Sequence, residues 1–126
     1  MAEKRQGRAT GQGRVEAYIH HNGRLGALVE VNCETDFVAR TPDFQQFCRD
    51  VAMQVAAMSP RYIDPDDVPA ADRTTQNVSE VCLLEQPFVK DGQVTIRELL
   101  KALIAKTGEN IIIRRIAKFS VGEYAS

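Results

Sequence analysis

Nothing in this chain limits its fold more than an Asn-Gly pair set between two alternating runs. From Val15 to His21, Val15, Ala17 and Ile19 fall on one side and Glu16, Tyr18 and His20 on the other. That period of two is the mark of a strand. Leu25 to Cys33 repeats it, with Ala27, Val29, Val31 and Cys33 opposed to Leu28, Glu30 and Asn32. Asn22-Gly23 lies between the runs. It is the dipeptide a tight hairpin prefers, because both of its turn positions take positive φ. Two antiparallel strands are therefore predicted over 15–33.

The residues before the hairpin carry Lys4, Arg5, Arg8 and Arg14 with Gly7, Gly11 and Gly13, and almost nothing to bury. A flexible basic lead is expected over 1–14, followed by one domain over 15–126. After the hairpin, Thr41-Pro42-Asp43 reads as a helix start: a Thr cap, Pro at the first position, an acid in the first turn. Phe44, Phe47, Cys48, Val51, Ala52, Val55 and Met58 then form one apolar stripe ending near Ser59-Pro60. Residues 63–80, with Pro65 and Pro69, show no sustained period and are expected to form a surface loop with at most one helical turn. Val81 to Leu84 is a short apolar run. Thr95-Ile96-Arg97-Glu98 fits a capping box, and Gly108 sits where a helix-ending glycine belongs. Ile111 to Val121 is rich in β-branched residues and reads as the last strand. The order strand–strand–helix–helix–strand predicts an α+β fold: a small three-stranded antiparallel sheet with helices packed on one face.

That arrangement leaves a second sheet face to cover. Tyr18 and Leu28, read as lying on the polar sides of their strands, join Ile112 and Ile116 as candidates for it. Either the segment Val81–Phe88 folds over this face or a second subunit does.

Charge and cysteine content narrow the chemistry. Sixteen Lys and Arg against seventeen Asp and Glu leave a net charge of −1. A chain that lives on phosphate contacts is far more basic, so sequence-specific nucleic-acid binding is not expected. No apolar run approaches the roughly 20 residues that cross a bilayer. Cys33, Cys48 and Cys82 are too widely spaced for a zinc knuckle or redox pair and are expected as reduced thiols in a cytosol-like compartment. His20 and His21 with Cys33 and Glu34 are metal-ligating residue types, but Cys33 falls on the face read as core. Neighbours on a strand point to opposite faces, so neither a metal site nor a Cys/His nucleophile is expected. The carboxylates are scattered, and no Gly-rich phosphate loop precedes a helix. The residues point away from an enzyme and from any resident cofactor.

Asn32-Cys33-Glu34-Thr35-Asp36-Phe37-Val38 stands apart, because it sets Asp36 and Phe37 on the corner between a strand and a capped helix. From the residues alone, Phe37 either folds into the core or projects as an apolar anchor beside an acceptor.

These motifs resemble the translation elongation factor Ts family. The resemblance is carried by Tyr18–Arg24, Leu28–Arg40, Pro60-Arg61-Tyr62, Leu83–Val89, and Gly108-Glu109-Asn110-Ile111 with Arg114-Arg115. It implies guanine-nucleotide exchange on elongation factor Tu, with Asp36 and Phe37 of Thr35-Asp36-Phe37-Val38 meeting the GTPase. The phenylalanine would wedge beside the magnesium-side helix so that GDP leaves. His20, His21 and Asn32 are expected to support that surface. The resemblance also implies a homodimer joined through the sheets, and cytoplasmic, stromal or matrix residence. Against the family pattern, the chain is expected to lack a small N-terminal helical module and to have a shortened middle at 63–80. A non-exchanging, ribosome- or GTPase-associated module of the same fold is the alternative.

Overall fold

In chain order the elements are β1 (Gln12–Ile19), β2 (Leu25–Cys33), α1 (Asp36–Ala39), α2 (Pro42–Met58), α3 (Val78–Val81), β3 (Pro87–Phe88), β4 (Asp91–Thr95), α4 (Ile96–Thr107) and β5 (Ile112–Ser120). They are seen in a computed structural model that describes residues 8–123. β1, β2 and β5 form one antiparallel sheet with β2 in the middle. β3 and β4 make a separate two-stranded ribbon that the sequence reading did not foresee. The expected α+β class and three-stranded sheet are both present.

Each long helix starts and stops where its cap residues dictate. Thr41 caps α2, its hydroxyl accepting from the Phe44 N–H, and Ser59 closes the helix in the left-handed region at φ 52°. Thr95 and Glu98 form the expected capping box on α4, and Gly108 ends it at φ 74°. Phe44, Phe47, Cys48, Val51, Ala52 and Val55 are buried along α2, whereas Met58 at its end is exposed.

The strands differ from expectation in three respects. First, β1 begins at Gln12, so residues 12–14 of the expected lead belong to the sheet. Gly13 permits this: a Cβ there would lie 2.3 Å from the Val31 carbonyl oxygen. Residues 1–7 of the lead lie outside the described residues. Secondly, the hairpin connection runs from His20 to Arg24, so His20 and His21 are not part of the strand. Gly23 donates to the His20 carbonyl at 2.8 Å and takes φ 69°, but Asn22 keeps negative φ. Asn22 instead accepts from the Arg24 N–H through its side chain, an Asx turn.

Thirdly, the two faces of β1 are reversed in effect. Tyr18 pairs with Ala27, and Glu16 with Val29, so both point to the helix side. Ile116 pairs with Val29 and shares that side. Tyr18 and Ile116 pack against the core, so neither belongs to the uncovered face where the sequence reading put them. The edge strand β1 can turn Glu16 and Tyr18 inward because the polar tips of such side chains still reach water past the edge. Leu28 does lie on the uncovered face, and the register sets Ile112 there opposite Asn32.

The segment after α3 does not cover that face. Cys82, Leu83, Leu84 and Phe88 join the core formed by α2, α4 and the inner side of the sheet. Two buried glutamines hold this segment against α2. Gln54 donates to Gln86 Oε1 at 3.1 Å and to the Pro87 carbonyl at 3.0 Å, and accepts from the Val89 N–H. Residues 63–80 carry two short 3-10 turns besides α3, more helical turns than expected, and Val68 is buried among them.

Candidate functional site

β2 stops at Cys33 because the chain must leave the sheet to enter α1. Thr35 makes the exit abrupt: its backbone is extended, and its hydroxyl accepts from the Val38 N–H at 3.2 Å. The four-residue helix that follows splits its side chains by facing. Val38 and Ala39 are buried and fasten the turn to the core. Phe37 points the other way and is 80% exposed. An apolar ring left in water on a rigid corner gains about 2 kcal/mol when a partner covers it.

Asp36 stands beside it. Its carboxylate accepts from Arg40 Nε at 2.7 Å, one helical turn on, with both side chains more than half exposed. An exposed pair of this kind contributes only about 0.3–0.5 kcal/mol. The carboxylate can therefore exchange Arg40 for a donor on another molecule at little cost.

The corner is braced from below and from the side. Beneath it, the buried Cys33 thiol donates to the Thr35 carbonyl at 3.2 Å. Burial pushes that thiol up to about 11, with Glu109 adding to the rise. To the side, the Glu109 carboxylate accepts from the Glu34 and Thr35 N–H groups, each at 3.1 Å, and from the Thr35 hydroxyl at 2.7 Å. Glu34 returns the contact, accepting from the Asn110 N–H at 2.5 Å. Arg8 of the lead also reaches Glu34, at 3.4 Å, and its carbonyl accepts from the Asn110 amide. Within the motif Gly108-Glu109-Asn110-Ile111, local pattern gives a task to Gly108 alone, as the helix-ending glycine. Only the fold brings the motif against Thr35.

Thr35, Asp36, Phe37 and Val38 thus form one unit, with Val38 as its anchor. Asn32 lies close by, just before the end of β2. His20 and His21 do not join them. They sit in the hairpin connection at the far end of β2, about 27 Å of strand away. There His20 Nδ1 lies 3.1 Å from the Tyr18 hydroxyl, and its ring stacks obliquely on His21 at 4.2 Å.

Other sites offer less. Among the described residues no three His, Cys, Asp or Glu side chains converge as metal ligands. All three cysteines are buried and free. A hollow of about 490 Å³ between α4 and β5 includes Arg97 and Asp64, but these are engaged with each other and with Glu85. No helix among the described residues is long and apolar enough to cross a membrane.

Comparison with known proteins gives one consistent answer. The family model described as Elongation factor TS matches residues 1–77. The chain is 44% identical to an elongation factor Ts from Rubrobacter xylanophilus, over 96% of this chain and 76% of that protein. It is 45% identical to one from Carboxydothermus hydrogenoformans, over 97% of this chain and 69% of the relative. A third, from Syntrophus aciditrophicus, is 41% identical over 97% and 75%. These matches extend over 149 or 150 positions. Since the chain has 126 residues, the relatives carry residues within the matched span that it does not.

Proposed function

The chain belongs to the elongation factor Ts family, and we propose that it promotes GDP release from elongation factor Tu through the Asp36–Phe37 corner. The observation that carries the site assignment is Phe37: a large apolar side chain, 80% exposed, on a corner that the buried Val38 and Ala39 fasten to the core. A flexible exposed Phe would lose entropy on binding. One held on a capped turn is already in place.

The mechanism needs no bond to form in this chain. GDP in a GTPase is held largely through magnesium and its phosphates. A wedge that fits only the arrangement with magnesium displaced shifts the population by the difference in its two affinities. Phe37 supplies the apolar volume of the wedge. Asp36 supplies an acceptor that a partner donor can capture from Arg40. The protein turns over only in the sense that it leaves once new nucleotide enters.

A second copy of the chain is the other partner we propose. On the uncovered face, Ala17, Leu28 and Ala117 align across the three strands, with Ile19 and Phe119 in the next row. An isologous contact lets one apolar patch cover its own copy. Action in the cytoplasm, where the GTPase works, follows from the same reading, as does transient association with translating ribosomes.

The test is release of fluorescent GDP from elongation factor Tu. The parent chain accelerates release. Phe37→Ala lowers the rate about 30-fold, the equivalent of about 2 kcal/mol of lost apolar contact, with an unchanged far-UV spectrum and thermal midpoint. If saturating parent chain leaves release at the intrinsic rate, the exchange reading fails in favour of a non-exchanging binding module. If folded Phe37→Ala works as fast as the parent, the site assignment fails alone.

A further inference from the structure

We infer that Glu109 is a positioning residue for the Asp36–Phe37 corner, holding it in the one orientation from which Phe37 can wedge. The inference rests on the exchange reading above and deepens it. Glu34 and Thr35 lie past the last ladder residue of β2 and before the first turn of α1. Their N–H groups therefore have neither strand nor helix partners. Both donate to one oxygen of Glu109, and the Thr35 hydroxyl donates to the other. Three charge-assisted bonds from one carboxylate fix two successive peptide planes and the capping side chain. Phe37 follows two residues later, so rotation at those peptides would swing its ring.

Glu109 is itself well held. It follows Gly108, which ends α4 in the left-handed region. Its own N–H donates to the Thr107 hydroxyl at 3.2 Å. The next residue, Asn110, is buried and donates its N–H to Glu34. The connection between α4 and β5 and the exit of β2 thus clasp each other in both directions. A carboxylate suits the task because it only accepts, and every group facing it has a hydrogen to give.

Maximal rate and half-saturating concentration, read from GDP release by the whole chain, test this. Glu109→Ala is expected to cut the maximal rate about tenfold while the half-saturating concentration moves less than about threefold, since the rest of the surface still docks. Glu109→Gln restores most of the rate, because its amide oxygen still accepts both N–H groups and its NH2 can donate to the Thr35 hydroxyl. In Phe37→Ala, adding Glu109→Ala changes the rate no further, because its effect passes through Phe37. Hydrogen exchange of the Glu34 and Thr35 amides speeds up in Glu109→Ala while α2 stays protected. Full activity in Glu109→Ala overturns the inference, as does a loss additive with Phe37→Ala or unchanged amide protection. An inactive parent chain defeats the exchange reading itself, whereas an active parent with an equally active Glu109→Ala defeats only this positioning role.

Discussion

Phe37 and Cys33 lie four residues apart and have opposite fates. Alternation puts Cys33 on the inner face of β2, and the structure buries it, as expected. Phe37 belongs to no strand or long helix, so periodicity was silent about it, and exposure was decided by Val38 taking the core position on α1. The buried thiols make a prediction at this scale. Burial pushes Cys48 up to about 12 and Cys33 to about 11, from an ordinary 9.0. Above about pH 9 the unfolded chain loses these protons while the folded chain keeps them. The unfolded state then binds fewer protons, so stability is intact below pH 9 and falls as pH rises toward 11–12. The parent's urea midpoint is expected to drop more steeply between pH 9 and 11 than that of Cys48→Ala. Equal slopes would show that the thiol does not resist ionisation.

At the scale of elements, caps were the most legible signals. Thr41, Thr95, Glu98, Ser59 and Gly108 each mark a helix end that can be read from a few neighbouring residues, because capping is satisfied locally. Thr95→Ala is accordingly expected to cost about 1 kcal/mol in chemical denaturation. Strand limits were less legible. Gly13 looked like part of a flexible lead, since a glycine without apolar neighbours carries no strand signal. Its place in β1 depends on Val31, which is distant in sequence and leaves no room for a Cβ. Gly13→Ala should destabilise the chain by about 1–3 kcal/mol. Gly11→Ala, facing open space, should stay within about 0.5 kcal/mol of the parent. Similar stabilities for the two would mean that β1 does not pair as far as Gly13.

For the whole molecule, the open question at the sequence level was what covers the second sheet face. Among the described residues of one chain nothing does: Ile19 is 67% and Phe119 79% exposed there. The proposed dimer gives this face a partner. Leu28 lies at the middle of the patch and contacts no part of the corner, so Leu28→Glu should yield a single-chain mass by light scattering while the parent runs at twice that mass. A parent of single-chain mass at tens of micromolar would end the dimer proposal. GDP release by Leu28→Glu then tells whether one corner acts alone.

Local pattern alone determined the α+β class, the two long helices with their ends, and the inward stripes of α2 and β2. Each depends on a repeat or a cap that a short stretch of chain contains. The family resemblance likewise lay in contiguous motifs, and it directed attention to Thr35-Asp36-Phe37-Val38 before any geometry did. Only the tertiary structure decided which face of β1 is covered, because alternation has no sign: it separates two faces without saying where the helices lie. Only the fold could show Glu109 beside Thr35, since the clasp joins residues 74 positions apart, and the hydrogen bonds that complete an exposed corner leave no period in the sequence.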